Sequence, residues 1–140
     1  MKSFLLVGIQ FSLLFFLAWY GGIGNALLPN GLLWGGVLLG FSAVAAMRFR
    51  VSIMPEVRER QALVLSGPYR FIRHPMYTAV LLIAASFVVQ RPESITFFAW
   101  GALLVDLLIK LRFEEQELVR AFPKYAESVK HVKRLIPGVY

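Results

Sequence analysis

The sequence predicts an all-α integral membrane protein, a bundle of about four transmembrane helices followed by a cytoplasmic helical tail. Of its 140 residues, 58% are hydrophobic and only 16% are charged, whereas soluble domains average about 45–50% apolar and about 25% charged. The apolar residues are gathered into four long runs instead of being spread evenly. Basic residues flank these runs, as they do at the cytoplasmic ends of membrane spans. Together these observations favour a membrane bundle over a soluble domain.

The four apolar runs are the predicted spans. They cover residues 4–20, 27–47, 76–89 and 95–111. A spanning helix needs about 20 residues, with a working range of about 17–25. Because residues 76–89 alone fall short of that range, we expect the preceding residues 71–75 to lie at interfacial depth.

The distribution of charge predicts the topology. Lys and Arg are concentrated in residues 48–75 and 112–140, whereas residues 21–30 carry no charge. By the positive-inside rule, both basic segments are cytoplasmic, and Lys2 places the amino terminus on the same side. An even number of spans satisfies these assignments. We therefore expect one membrane-embedded domain over residues 1–140, multi-pass, with both termini in the cytoplasm.

Composition also narrows the classes of function. The absence of cysteine excludes disulfides, thiolate metal sites and a cysteine nucleophile, and with two histidines and eight acidic residues we expect no metal site. The net charge of +7 is explained by the flanks of the spans, so we expect no nucleic-acid partner. The sequence contains neither a dinucleotide-binding Gly-x-Gly-x-x-Gly turn nor a phosphate-binding Gly-Lys-Ser/Thr loop.

A basic motif precedes the third run. Residues 67–77 read GPYRFIRHPMY, and Gly67-Pro68 is a turn signal. Pro75 suits the first turn of a helix, where its missing N–H is no loss. The helix terminus carries unpaired N–H groups, so with Arg73 and His74 it forms a candidate anion site. The alternative is that the arginines only reach towards lipid headgroups.

Acidic residues mark the fourth run and its end. Glu114 and Glu115 follow it directly, in a chain with few acids. They could pair with Lys110 and Arg112 on a solvated helical extension, or they could form the acidic half of a site with the basic motif. Asp106 lies inside the run, where it could pair with Lys110 or face a polar cavity.

Two blocks of the sequence resemble a known superfamily. They are Gly67-Pro68-Tyr69-Arg70-x-x-Arg73-His74-Pro75-Met76-Tyr77 and Glu114-Glu115-x-x-Leu118-x-x-x-Phe122-Pro123-x-Tyr125, the second followed by Val132-x-Arg134-x-x-Pro137. This pattern is similar to the signature of membrane methyltransferases of the isoprenylcysteine carboxyl methyltransferase and phospholipid methyltransferase superfamily. The resemblance covers roughly the second half of the chain. Ala79 stands where the family often has glycine, and Ser128 where it often has tyrosine.

The resemblance implies an enzyme that holds S-adenosylmethionine at the cytoplasmic side without a dinucleotide-binding domain. It implies a catalytic role for Arg73, His74 and Glu115. The implied cofactor-binding residues are His74, Pro75, Tyr77, Glu114, Glu115, Tyr125 and Arg134. The chemistry of the cofactor agrees, because glutamates suit its cationic groups and ribose hydroxyls, while Arg73 and the helix terminus suit its carboxylate.

The expected function is methyl transfer to a carboxylate of a hydrophobic or lipid-borne acceptor in the membrane. A carboxylate acceptor needs no general base, whereas an amine acceptor must lose a proton, which His74 or a glutamate would take. N-methylation of a phospholipid amine and S-methylation of a small thiol remain alternatives. A further alternative, of a different class, is a non-catalytic membrane interaction protein whose basic surface binds anionic lipid.

Overall fold

The protein is described by a computed structural model that covers residues 2–47 and 65–140. Residues 48–64, most of the first predicted cytoplasmic segment, lie outside the described residues. The regular elements are α1 (Lys2–Gly21), α2 (Leu27–Ala46), a 3₁₀ turn (Gly67–Arg70), α3 (Pro75–Gln90), α4 (Ser94–Ala121) and α5 (Tyr125–Ser128). Within the described ranges all regular elements are helical, and the predicted fold class is confirmed.

Three of these helices, α1, α2 and α4, are long and apolar enough to cross a membrane. The helix α3 is apolar but has 16 residues, which corresponds to a length of about 24 Å at about 1.5 Å per residue. The hydrocarbon core of a bilayer is about 30 Å thick. This helix is therefore shorter than the hydrocarbon core is thick, and the interfacial depth expected for residues 71–75 stays a prediction.

The helices pack as a bundle in which α2 contacts mainly α3 and α1 contacts mainly α4. The core is small and apolar, and it consists of Leu17, Ala84, Phe87, Val88, Ala99, Leu103 and Leu107. Large apolar side chains point outward from α1 and α2, among them Phe15, Trp19, Trp34, Leu38 and Phe41. An apolar surface of this extent is typical of a protein that faces lipid.

Glycines allow the closest helix contacts. A Cβ placed on Gly36 would lie 2.7 Å from Cγ1 of Ile83 and 2.9 Å from the carbonyl oxygen of Ala79, so α2 and α3 touch through their backbones at this point. A Cβ on Gly21 would lie 2.7 Å from Cβ of Phe87. Small residues at such positions are the usual means by which membrane helices approach each other.

The helix α4 is longer than its apolar run predicts, since it continues past residue 111 to Ala121. Its start carries a reciprocal capping box between Glu93 and Thr96, in which each side chain accepts a hydrogen bond from the backbone N–H of the other residue. Because the helix continues, Glu114 and Glu115 stand on the same rigid element as the buried Lys110. Beyond Ala121 the predicted helical tail contains one further turn of helix, α5, and is otherwise irregular.

Candidate active site

The basic motif forms a bend that leads into α3. Gly67 has a φ of +60°, a left-handed conformation that glycine adopts without strain, and it opens the 3₁₀ turn. An irregular connection over residues 71–74 then leads to Pro75, where α3 begins. His74 stands at the N-cap position, and its side chain makes no capping hydrogen bond. Its imidazole is therefore available for other contacts.

The tail after α5 runs alongside this bend. The backbone N–H of Arg73 donates to the carbonyl of Lys133 (2.7 Å), and that of His74 donates to the carbonyl of Arg134 (3.0 Å). Ile72 and Lys133 form an isolated parallel bridge. The Val132–Pro137 block, which follows the second block in sequence, thus lies directly against the first.

The side chain of Arg73 joins three segments of the chain. Its Nε donates to the carbonyl of Val132 (2.7 Å), and its Nη2 donates to the carbonyl of Val129 (3.0 Å). Its Nη1 donates to Oε1 of Glu115 on α4 (3.1 Å). A guanidinium offers five donors in a fixed planar arrangement, and here that arrangement holds the bend, the tail and α4 together.

Glu115 is the centre of the charge network. Its Oε1 pairs with Arg73 and its Oε2 accepts a hydrogen bond from Nε of Arg134 (2.9 Å). Nε2 of His74 lies 3.5 Å from the same Oε1. The side chain is only 12% exposed. With cations on both of its oxygens, this carboxylate fixes the relative position of the basic motif, α4 and the tail.

Glu114 has a different environment. Its Oε2 accepts a hydrogen bond from the hydroxyl of Tyr77 (2.8 Å) and lies 3.5 Å from Nδ1 of His74. The rings of His74 and Tyr77 are stacked nearly parallel, with centroids 5.5 Å apart. Glu114 is 30% exposed, and both neighbours approach the same oxygen. Its other oxygen, Oε1, is therefore the part of the glutamate pair that is best placed to contact a ligand.

His74 is buried between the two glutamates. Burial lowers the pKa of His74, but the facing carboxylates of Glu114 and Glu115 raise it by more, so the net pKa is above its ordinary value. Both ring nitrogens lie at ion-pair distance and not at hydrogen-bonding distance. Within the described part of the chain, Nε2 is buried without a hydrogen-bond partner.

The structure brings most of the predicted site residues into one contact network, formed by Arg73, His74, Tyr77, Glu114, Glu115 and Arg134. Pro75 is fully buried at the start of α3, and Tyr125 is buried at the start of α5. Burial raises the pKa of Tyr125, and the nearby charge of Glu115 raises it further, so its phenol is neutral.

The alternative pairings are not formed among the described residues, because neither Lys110 with Glu114 nor Arg112 with Glu115 makes an ion pair there. Lys110 instead contacts Gln10 on α1, a contact that the sequence did not indicate. The carbonyl groups of Val129 and Val132 were also missed, because a backbone acceptor leaves no signal in the side-chain sequence.

The fold and this site define a membrane-embedded helical protein in which a basic and an acidic block meet at one end of the bundle. A family model described as phospholipid methyltransferase matches residues 25–125. The match covers well over half of the sequence, so the chain belongs to the phospholipid methyltransferase family, and the predicted superfamily is confirmed.

The chain is also similar to two curated proteins. The chain is 31% identical over 102 residues to the cobalt-zinc-cadmium resistance protein CzcN of Cupriavidus metallidurans, covering 71% of this chain and 47% of that protein. It is 29% identical over 99 residues to the protein-S-isoprenylcysteine O-methyltransferase of Dictyostelium discoideum, covering 69% of this chain and 41% of that protein. The chain thus aligns with less than half the length of either relative. No solved structure matches. The names of the family and of the second relative indicate a methyltransferase.

Proposed function

We propose that this protein is an S-adenosylmethionine-dependent methyltransferase that transfers a methyl group to a carboxylate of a hydrophobic or lipid-borne acceptor. The observation that carries the proposal is the contact between two distant blocks, in which Arg73 and His74 meet Glu114 and Glu115 through ion pairs. Ionisable residues beside an apolar span are costly and tend to serve function.

The residues at this site fit the cofactor. S-adenosylmethionine carries an ammonium group, a sulfonium, a carboxylate and ribose hydroxyls. Oε1 of Glu114 suits the ammonium or a hydroxyl, because Tyr77 and His74 both approach the other oxygen. The positive end of the α3 dipole suits the carboxylate. Pro75 has no N–H and the N–H of Tyr77 donates to the carbonyl of His74 (3.1 Å), so the backbone N–H of Met76 is the donor that this turn offers. Nε2 of His74 is a further buried donor, and no hydrogen bond to it is formed by the described residues.

The same contacts favour a carboxylate acceptor over an amine. The facing carboxylates of Glu114 and Glu115 raise the pKa of His74 and so favour its protonated form, which has no free lone pair to take a proton from an amine. Glu115 is held by Arg73 and Arg134. S-adenosylmethionine, when bound, would supply a methyl group on its sulfonium sulfur. The acceptor oxygen would form a bond to the methyl carbon while the C–S bond breaks and its electron pair goes to sulfur, which gives a methyl ester and a neutral thioether. A carboxylate undergoes this transfer without losing a proton.

The role proposed for the protein is therefore to position the reactants. Arg73 and Glu115 hold the bend, α4 and the tail in fixed positions relative to one another. Glu114, His74 and Tyr77 would contact the ligand. Alignment of two reactants can supply a large part of a barrier reduction. The catalytic roles predicted for Arg73, His74 and Glu115 stay predictions, and the contacts of Arg73 and Glu115 favour positioning.

We propose further that residues 1–140 form one multi-pass membrane domain with both termini in the cytoplasm. The support is the basic tail beside the site and the three long apolar helices. The acceptor would then enter sideways from the lipid, between helices. Accessibility of a tag at each terminus in sealed vesicles tests the topology, and tags on opposite faces would refute an even number of spans.

Transfer of labelled methyl from S-adenosylmethionine into a lipid extract tests the activity. We expect a labelled product that is hydrolysed by base, as an ester is. The product should be lost in Glu114→Gln but not in Glu117→Gln, a matched change on the same helix at a carboxylate that pairs with the exposed Arg120. A base-stable product would identify an amine or thiol acceptor instead. If the protein neither transfers methyl nor binds the cofactor, the non-catalytic interaction protein becomes the better account.

A further inference from the structure

A buried glutamine lies inside the first apolar helix of the bundle. Gln10 is 9% exposed, and it stands in a helix that is apolar enough to cross a membrane. A buried amide without a hydrogen-bond partner is costly in such a place, so a glutamine there is expected to have a specific partner. The match to the family model begins at residue 25, so Gln10 lies outside the region that this match describes.

The partner of Gln10 is a buried ammonium group on α4. Nζ of Lys110 donates a hydrogen bond to Oε1 of Gln10, and Lys110 is only 2% exposed. The same ammonium lies 5.8 Å from the centroid of the Tyr77 ring on α3, a distance at which a cation is attracted to an aromatic ring. The position of this buried charge is thus defined by an oxygen from α1 and a ring from α3.

Two carboxylates on α4 could take this ammonium away from Gln10. Asp106 and Glu114 stand one turn before and one turn after Lys110, on the same helix face, yet within the described residues neither makes an ion pair with it. Both oxygens of Asp106 are buried there without a hydrogen-bond partner. Because an acid four residues before a lysine is in the favourable order for pairing on a helix, the contact with Gln10 competes with a pairing of Lys110 and Asp106.

Tyr77 connects the buried ammonium to the candidate active site. Its hydroxyl donates to Oε2 of Glu114 (2.8 Å), and its ring is stacked against His74 with the two centroids 5.5 Å apart. The hydrogen bond orients the carboxylate so that its other oxygen, Oε1, is left for a ligand. A shift of the Tyr77 ring would therefore move the carboxylate to which the ammonium or a hydroxyl of the cofactor is proposed to bind.

We propose that Gln10 is a positioning residue of the candidate active site. It holds the ammonium of Lys110 beside the Tyr77 ring, and the ring keeps its hydroxyl on Glu114. Without the glutamine oxygen, Lys110 turns to the unpartnered Asp106, and the Tyr77 ring loses its cation. The first helix thus contributes to cofactor binding without touching the cofactor. This inference rests on the proposed function and adds to it a residue that acts through others.

The affinity of the purified protein for S-adenosylmethionine tests this role. Gln10→Leu removes the acceptor oxygen at similar side-chain size, and it should weaken binding by about threefold or more, as expected for the loss of a weak cation–π contact. Gln10→Glu keeps an acceptor oxygen at the same reach, so its affinity should stay within about twofold of the wild type. Ser12→Leu, at an exposed position of the same helix, is the matched control and should leave the affinity unchanged.

A background that lacks the Tyr77 hydroxyl separates positioning from packing. Tyr77→Phe keeps the aromatic ring and removes the hydrogen bond to Glu114. Because the proposed effect of Gln10 passes through that hydrogen bond, Gln10→Leu should cause no further loss of affinity in this background. A glutamine that served only to pack α1 against α4 would cause the same additional loss with or without the hydroxyl. If Gln10→Leu does not fold, Gln10→Asn, whose side chain is one methylene shorter, replaces it in both comparisons with the same expected results.

The outcomes separate this inference from the proposal beneath it. Equal affinities of the wild type and Gln10→Leu would overturn the positioning role while the methyltransferase stands. An undiminished loss in the Tyr77→Phe background would do the same, and so would a loss in Gln10→Glu as large as that in Gln10→Leu. Failure of the wild type to bind S-adenosylmethionine would refute the proposed function itself, and the role of Gln10 with it.

Discussion

Replacing Glu115 by glutamine should destabilise the contact between the two blocks. Glutamine keeps the shape of the side chain and removes its charge. In the native protein the carboxylate accepts hydrogen bonds from Arg73 at 3.1 Å and from Arg134 at 2.9 Å. The substitution leaves both guanidinium groups without their anion, while the backbone contacts of Arg73 with Val129 and Val132 remain.

The size of the effect follows from the exposure of the partners. Arg134 is 38% exposed, so water replaces most of its lost contact, and pairs of that kind contribute about 0–1 kcal/mol. Arg73 is more enclosed, and a hydrogen bond to a charged group contributes about 1.5–3 kcal/mol. We therefore expect Glu115→Gln to lower the free energy of unfolding of this region by about 2–3 kcal/mol.

Unfolding in detergent, followed by near-ultraviolet circular dichroism, measures this loss. Glu117→Gln is the control, because Glu117 stands on the same helix and, among residues 2–47 and 65–140, pairs only with Arg120, which is 74% exposed. That variant should change the free energy of unfolding by less than about 1 kcal/mol. Equal effects of the two substitutions would refute the view that Glu115 holds the blocks together.

Three further perturbations have defined outcomes. The raised pKa of His74 adds stability that is complete below the unfolded-state pKa of about 6.5 and is lost as pH rises through the folded-state pKa. His74→Gln should therefore flatten the fall of the free energy of unfolding with pH, and identical pH profiles of the two proteins would contradict this expectation. Gly36→Ala should cost about 1–3 kcal/mol through overpacking, whereas Gly35→Ala, with no atom within 4 Å of the added methyl, should be close to neutral. Thr78→Val removes the hydrogen bond to the carbonyl of Leu135 (2.7 Å), so the tail should be cleaved faster by protease at unchanged α-helix content.

The helices were largely predictable because apolar runs of the right length have few alternatives in a membrane. Three of the four runs gave helices that could span, and the third gave a shorter apolar helix that starts at Pro75. The extension of α4 to Ala121 was not predictable from hydropathy. Beyond residue 111 the helix is polar, and Glu114 and Glu115 contact polar side chains of other segments, which hydropathy does not register.

The site was predictable where side chains carry charge and motif spacing, as for Arg73, His74 and Glu115. The contacts of Arg73 with backbone carbonyls could not be foreseen, because every residue offers a carbonyl. The contact of Gln10 with Lys110 joins residues a hundred positions apart, and nothing in the local sequence around Gln10 distinguishes it from a glutamine that faces lipid headgroups.

Equilibrium binding of labelled S-adenosylmethionine to the purified protein in detergent tests the central claim most directly. We expect saturable binding to one site that S-adenosylhomocysteine displaces, and affinity about tenfold or more weaker in Glu114→Gln, since that change removes one charge-assisted contact. Absence of saturable binding, or an unchanged affinity in Glu114→Gln, would contradict the claim that the meeting of the two blocks forms the cofactor site.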